Sequence, residues 1–320
     1  NMELPILLKE KLEQEIDEIE LKKLKQSAQN ISEKYRDKTQ NKTNTRLITS
    51  REDAVAYAVS RMPATYGAVY SALKHSLGMM PNAEITSLLD VGAGTGTATW
   101  AVNELLKIES NVCVENEDYM LNLGQKLMKN EIDNVQWIKK NIITDNVEQK
   151  ADLVISSYVL NEIKSENRNQ ILEKLWNSTE KLLLIIEPGT PEGYNQIKEI
   201  RDYFIKKGAN IVAPCAHEKE CKISKNDWCA FSCRVARTKV HKILKAGDVP
   251  YEDEKFSYIA VSKMKTDKKD RILRHPKIEN GRITLKLCTT EGDIEEKTIT
   301  KKEKEKFKIA KKLSNGDILK

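Results

Sequence analysis

Four of the chain's six cysteines stand within 19 residues, at positions 215, 221, 229 and 233 of PCAHEKECKISKNDWCAFSCRVART (214–238). Thiolates bind zinc and other borderline metals, and they hold iron–sulfur clusters. No apolar run reaches the roughly 18 residues that span a bilayer, and no basic–apolar–small leader opens the sequence. The expected setting is soluble and cytoplasmic, with no membrane partner. Structural disulfides are rare there, and clustered cysteines serve metal binding or redox chemistry. The spacing C-x5-C-x7-C-x3-C lacks the C-x2-C knuckle of zinc ribbons, but it does not choose iron over zinc. Cys288, in a strand-like stretch further on, can fold back onto this segment, so five cysteines compete for four positions. His217 could also ligate, but a loop histidine beside Glu218 is more often simply exposed. Cys113, in an apolar stretch, reads as a buried filler.

A second stretch with chemical potential is LLDVGAGTGTATWA (88–101). Gly92, Gly94 and Gly96 form a tight turn between a strand and a helix. Glycines let the backbone approach a ligand, and the helix N-terminus favours electronegative groups. The pattern is G-x-G-x-G, not the G-x-G-x-x-G of dinucleotide binders. Asp90 stands two residues before the first glycine. Glu115 closes the next strand, about 20 residues beyond the loop, where a carboxylate can hold both hydroxyls of a ribose.

The elements that must position these residues show as a change of rhythm. Residues 3–40 read as helical, 41–50 as a polar linker, and 51–78 as a further helical stretch with a kink or break at Pro63. From residue 85 short apolar runs alternate with helical patterns. Strands are expected at 85–91, 110–116, 134–139, 151–158, 181–189, 209–214 and 255–263. That alternation predicts an α/β, Rossmann-like fold with a seven-stranded, mostly parallel sheet. The cysteine-rich loop, 213–240, falls between the last two of these strands. Beyond it, 281–288 and 293–300 read as a hairpin turning near Glu291-Gly292, followed by a basic helix. The expected organisation is a helical N-terminal cap (1–82), a Rossmann-like domain (83–264) and a basic C-terminal extension (265–320).

The glycine loop, the acid after the second strand, Asn141 after the third and the I-S-S-Y run after the fourth resemble class I S-adenosylmethionine-dependent methyltransferases over roughly 85–263. The resemblance implies that Asp90, Gly92, Ala93, Gly94 and Gly96 contact the methionine portion of S-adenosylmethionine, and that Glu115 binds its ribose. Asn141 and Ile142 would flank the adenine, and Ser156 to Tyr158 would face the methyl group. No general base presents itself, and Tyr158 and Glu162 are catalytic candidates by position alone. Methyl transfer can run on proximity and orientation.

Charge adds a partner class. The whole chain carries a formal +6, and residues 265–320 alone carry 17 Lys/Arg against 10 Asp/Glu. A basic tail is the electrostatic footprint of a nucleic-acid binder, with Lys/Arg clusters at 234–245 and 297–312 placed for phosphates. No aromatic stacking motif for base readout is visible, and DNA is not expected.

AYAVSRMPATYGAVYSAL, the glycine loop, EPGTPEG and PCAHEKEC…DWCAFSCRVART together resemble one family from about residue 50 onward. It is the methyltransferase-like family of the mitochondrial small ribosomal subunit (the Rsm-twenty-two family), and the chain reads as a bacterial member. The resemblance implies that Cys215, Cys221, Cys229 and Cys288 hold a four-iron, four-sulfur (4Fe-4S) cluster, with zinc as the alternative and Cys233 in reserve. It also implies action on the small ribosomal subunit and its 16S rRNA, as an rRNA methyltransferase or an assembly factor. Two alternatives stand beside it, an RNA-binding scaffold without turnover and a zinc-stabilised methyltransferase of a non-RNA substrate.

Overall fold

The computed structural model describes residues 2–41, 46–245 and 247–319. In chain order the elements are α1 (Ile6–Asp17), α2 (Leu21–Asn41), α3 (Arg51–Gly78), β1 (Ser87–Val91), α4 (Thr97–Leu105), β2 (Ser110–Glu115), α5 (Asp118–Met128), β3 (Val135–Lys139) and β4 (Ala151–Ser157). A 3-10 turn (Leu160–Glu162) leads to α6 (Ser165–Ser178), β5 (Thr179–Pro188), α7 (Pro191–Lys206), β6 (Asn210–Ala213), β7 (Phe231–Ala236), α8 (Lys239–Leu244) and β8 (Tyr251–Ser262). The tail holds β9 (Arg271–Ile272), β10 (Lys277–Glu279), β11 (Arg282–Cys288), β12 (Ile294–Thr300) and, after a 3-10 turn, α9 (Lys304–Ala310).

The chain divides into two compact units. The first contains the chain up to Tyr70, Ile85–Ser157 and Cys233–Glu254. Its strands β1–β4 pair in parallel in the order β3-β2-β1-β4. Parallel strands covered on both faces read as continuous apolar runs, and Leu88, Leu89, Val91, Leu153, Val154 and Ile155 are all buried. Cys113 is fully buried in β2, as its setting predicted. Met2 pairs in parallel with Val235 of β7: its N–H donates to the Arg234 carbonyl and its carbonyl accepts from Ala236 N–H.

The second unit contains Ser71–Glu84, Tyr158–Ser232 and Lys255–Lys320. Here the strand order is β5-β8-β6, with β8 antiparallel to both neighbours. A separate four-stranded sheet forms in the tail, with β11 between β10 and β12 and β9 also pairing with it. The strict alternation of β11 sends Ile283, Leu285 and Leu287 inward, where Ile272, Ile299, Phe307 and Ala310 complete a small core.

All seven expected strands form, and the tail hairpin lies within a residue or two of its predicted place. The differences have local causes. The N-terminal helical stretch divides into α1 and α2, with Glu18 capping the first. Pro63 neither ends nor splits α3, which runs through it for 28 residues. Met62 and Ala64 on either side are buried, so packing offsets the helix hydrogen bond that proline forfeits. The cysteine-rich segment is not all loop. β7 occupies Phe231–Ala236 and pairs with β8, burying Phe231 and Val235 at alternate positions. Strands β9 and β10, of two and three residues, are too short to register as patterns.

Candidate functional site

Two constellations carry chemistry, one in each unit. The first lies at the carboxyl ends of the parallel strands, the usual ligand crevice of open α/β sheets. Gly92, Gly94 and Gly96 have φ of 69°, 58° and 87°, which only glycine adopts without strain. Gly92 N–H and Ala93 N–H both donate to the Val114 carbonyl, at 2.8 and 2.9 Å, which folds the loop over the end of β2. A Cβ on Gly96 would stand 2.1 Å from Met128 Cε. Asp90 is fully buried, with Oδ2 accepting from Thr99 Oγ1 at 2.9 Å while Oδ1 has no hydrogen-bond partner among the described residues. Burial pushes its carboxyl up to about 7. Ser156, near the end of β4, is buried and its hydroxyl also lacks a partner among the described residues.

Glu115 has a role that sequence reasoning missed. Its Oε1 accepts from Gly94 N–H at 3.0 Å, and its Oε2 accepts from Asn116 N–H and Glu117 N–H at 2.9 and 2.8 Å. The carboxylate thus ties the glycine loop to the start of α5 with its own backbone, and ribose hydroxyls would use its remaining lone pairs. Burial still pushes this carboxyl up against those donors. After β3, Asn141 closes a turn: its Oδ1 accepts from Ile143 N–H, and its own N–H donates to Asp145 Oδ2. Ile142 lies in that turn. The expected residues Asp90, Ala93, the three glycines, Glu115, Asn141, Ile142 and Ser156 all fall at or just beyond the ends of β1–β4.

Tyr158 and Glu162 belong to the second unit. Tyr158 has φ of 57°, an unusual value for a residue with a side chain. Its N–H donates to the Ile186 carbonyl at 2.9 Å. The dominant group of this turn is Glu187, fully buried at the end of β5. Its Oε1 accepts from Leu160 N–H at 3.0 Å and its Oε2 from Asn161 N–H at 3.3 Å. With its amide oriented as its neighbours require, Asn161 Nδ2 also donates to Glu187 Oε2 and to the Tyr158 carbonyl. The signal was legible as a lone acid ending the apolar run KLLLIIE.

Burial pushes the Glu187 carboxyl up to about 8 from 4.5. The folded state therefore binds a proton that the unfolded chain has released by pH 6. Its contribution to stability is full below the unfolded value and is lost as pH rises toward 8. Asp90, pushed up to about 7, acts in the same direction. Thermal melts should show stability falling by on the order of a few kcal/mol between pH 5 and 8. Glu187→Gln should flatten that slope; an unchanged slope would remove Glu187 as its source.

The second constellation is the thiols. No disulfide joins the six cysteines. Cys215, Cys221, Cys229 and Cys288 line one cavity of the second unit, together with Tyr194, Ile197, Lys198, Arg201, His217 and Tyr258 among others. Cys215 follows the end of β6, Cys221 and Cys229 lie on the connection to β7, and Cys288 ends β11. Tyr194 Oη is 3.5 Å from Cys221 Sγ. Burial pushes the Cys215, Cys229 and Cys288 thiols up, Cys288 to about 11, and ionised neighbours in the same cavity raise each further. Four thiols so placed cannot all ionise without a compensating positive charge, which a bound metal supplies. Among the described residues, no three His, Cys, Asp or Glu side chains are arranged to hold one metal ion.

Cys233 is placed elsewhere. It belongs to the first unit, and a Cβ on Gly67 of α3 would meet its Sγ at 2.9 Å. The described lining of the thiol cavity does not include it. His217 lines that cavity and is buried, contrary to the expectation of an exposed loop residue. Its Nδ1 accepts from Lys219 N–H at 3.1 Å, and burial holds its ring below the usual imidazole range.

A parallel β3-β2-β1-β4 arrangement with a glycine turn after β1 and an acid ending β2 defines a Rossmann-like α/β protein. The family model described as "Mitochondrial small ribosomal subunit Rsm22" matches residues 51–320, and the chain belongs to that family. It is 25% identical to the human protein "Ribosome assembly protein METTL17, mitochondrial", over 83% of this chain and 62% of that protein. It is 22% identical to "Rsm22-cox11 tandem protein 2, mitochondrial" of Schizosaccharomyces pombe, over 86% of this chain and 44% of that protein. The chain thus spans between about two fifths and three fifths of these curated relatives. Among solved structures it is similar to magnesium protoporphyrin IX methyltransferase from Synechocystis PCC 6803 with bound SAM (TM-score 0.42, 10% identity, 72% of this chain and 91% of that one). It is also similar to the N-methyltransferase NodS from Bradyrhizobium japonicum WM9 (TM-score 0.44, 8% identity, 65% and 91%). No helix among the described residues is long and apolar enough to cross a membrane.

Proposed function

We propose that this chain is an S-adenosylmethionine-binding, iron–sulfur-containing assembly factor of the small ribosomal subunit, acting on its 16S rRNA. The observation that carries the reading is the convergence of four thiols, three from the β6–β7 segment and one from β11, on a single cavity. The donor set fits a 4Fe-4S cluster held by Cys215, Cys221, Cys229 and Cys288. A cubane spreads its thiolates around a polyhedron, whereas zinc gathers four at about 2.3 Å from one atom. S-adenosylmethionine would be held by the glycine loop, Asp90 and Glu115, with Asn141 and Ile142 at the adenine and Ser156 near the methyl group. The family description and the human relative's name direct the reading to ribosome assembly.

The RNA-facing charge is better assigned to 297–312 than to 234–245. In the latter, Arg234 makes a two-pronged pair with Asp253 and stacks over Tyr251, while Arg237 and Lys245 both reach Glu252. In 297–312 eight lysines face two glutamates, and all eight are exposed. Lysines so displayed suit phosphates as point charges.

Anaerobically purified protein should be brown, with about four irons per chain. Colourless protein with one zinc would overturn the cluster. Crosslinking in cells should recover 16S rRNA, and indiscriminate RNA would count against the ribosomal reading. Replacing Lys301, Lys302, Lys304 and Lys306 by glutamate should weaken binding to a 16S fragment and flatten its log–log salt dependence by roughly 3. An unchanged slope would move the contact elsewhere. A labelled methyl group appearing in that RNA would make the protein an rRNA methyltransferase.

A further inference from the structure

The thiol cavity contains a cation that no ligand pattern announces. α7 presents Tyr194, Ile197, Lys198 and Arg201 at spacings of three, four and seven residues, so one helix face lines the cavity. Arg201 is 4% exposed. Its Nη2 donates to the carbonyls of His217 and Lys219, at 3.1 and 2.6 Å, gripping the connection between Cys215 and Cys221. Its Nη1 reaches Asp202 Oδ1 at 3.3 Å, but Asp202 is half exposed. Its Nε is buried and has no hydrogen-bond partner among the described residues. Cys215 and Cys221, at the two ends of that connection, line the same cavity as this guanidinium. A buried guanidinium with an unsatisfied N–H beside a thiol is costly unless an anion is there to receive it.

We infer that Arg201 is the residue that stabilises the bound centre, donating through its guanidinium to the sulfur of Cys215 and offsetting the negative charge that four thiolates bring. This rests on the proposed cluster. A 4Fe-4S centre with four cysteinyl ligands carries a net negative charge in its oxidised form and one more unit on reduction. A fixed cation and an N–H donor at one sulfur stabilise the reduced form more, and so raise the reduction potential. Lys198 also lines the cavity, and Arg271 supplies a further positive charge. It is buried opposite Cys288 in the β9–β11 ladder and donates to the carbonyls of Pro214 and Gly316. Its Nε and Nη1 both have carbonyl partners, whereas the Nε of Arg201 has none among the described residues.

The test uses the full chain, reconstituted anaerobically with iron and sulfide, as wild type, Arg201→Lys and Arg201→Met. Midpoint potential is read by spectroelectrochemical titration, and cluster lifetime by the decay of absorbance near 400 nm in air. Arg201→Met is expected to have a lower potential and a shorter lifetime. Arg201→Lys, which keeps the charge but loses the planar fork, is expected to fall between. If Arg201→Met does not fold, the lysine variant carries the test through its potential, which a purely structural role would leave unmoved. Equal potentials in wild type and the folded variants would overturn the assignment and leave the cluster standing. A wild type that takes up no iron would overturn the proposed function and this inference with it.

Discussion

Replacing Cys288 by serine should remove the bound centre, while replacing Cys233 should leave it in place. Cys288 stands 73 positions beyond Cys215 in the sequence, yet both line the same cavity. β11 is held in register by seven pairs with β12 and two with β9, so the thiol at its end has little freedom to be replaced by a neighbour. Hydroxyl oxygen is a poor ligand for iron–sulfur iron, which prefers thiolate. Iron content of Cys288→Ser should fall to a small fraction of wild type, and the broad absorbance near 400 nm should disappear. Cys233→Ser should retain both, because Cys233 packs on Gly67 in the other unit. The reverse outcome would make Cys233 the fourth ligand. A further check is stability: binding free energy of such a centre is folding free energy, so Cys288→Ser should melt lower and chelator should no longer lower its melting point.

The second large effect is expected at Gly94. This residue has φ of 58°, and a Cβ there would find only Met120 Cε, at 3.5 Å. That is ordinary van der Waals contact, so a Cβ at this position meets no clash. The left-handed backbone costs an ordinary residue only about 1–2 kcal/mol. Gly94→Arg should therefore fold, and its N–H should still reach Glu115. A long cationic side chain at the mouth of the turn would occupy the volume where the methionine portion of S-adenosylmethionine is proposed to sit. Calorimetry should give a clear binding heat with wild type and none with Gly94→Arg at matched thermal stability. Undiminished heat in the variant would place the cofactor away from this loop.

These contrasts show which parts were legible in the sequence. Strands β1 to β5 announce themselves because apolar runs such as SLLDV and KLLLIIE are bounded by glycine or charged residues. The glycine turn is legible because three positive-φ positions in five residues permit little else. Arg201 was invisible for the opposite reason. On α7 it is one charged residue among many, and only the fold turns its face toward Cys215. Glu187 was quoted as part of a family signature, but its grip on Leu160 and Asn161 depends on the turn that Tyr158 begins. β7 was overlooked because its cysteine drew a chemical reading, although Phe231 and Val235 alternate as a half-buried strand does. Pro63 misled through a local rule that burial overrides.

The bridge between Met2 and Val235 also bears on the order in which the chain is made. Synthesis delivers residue 2 long before residue 235, and the hydrogen bonds from Arg234 and to Ala236 cannot form until some 230 further residues have been added. The segment ahead of α1 must therefore wait, unpaired, through the production of nearly three quarters of the sequence. Its docking is a late, non-local event of the kind that slows folding.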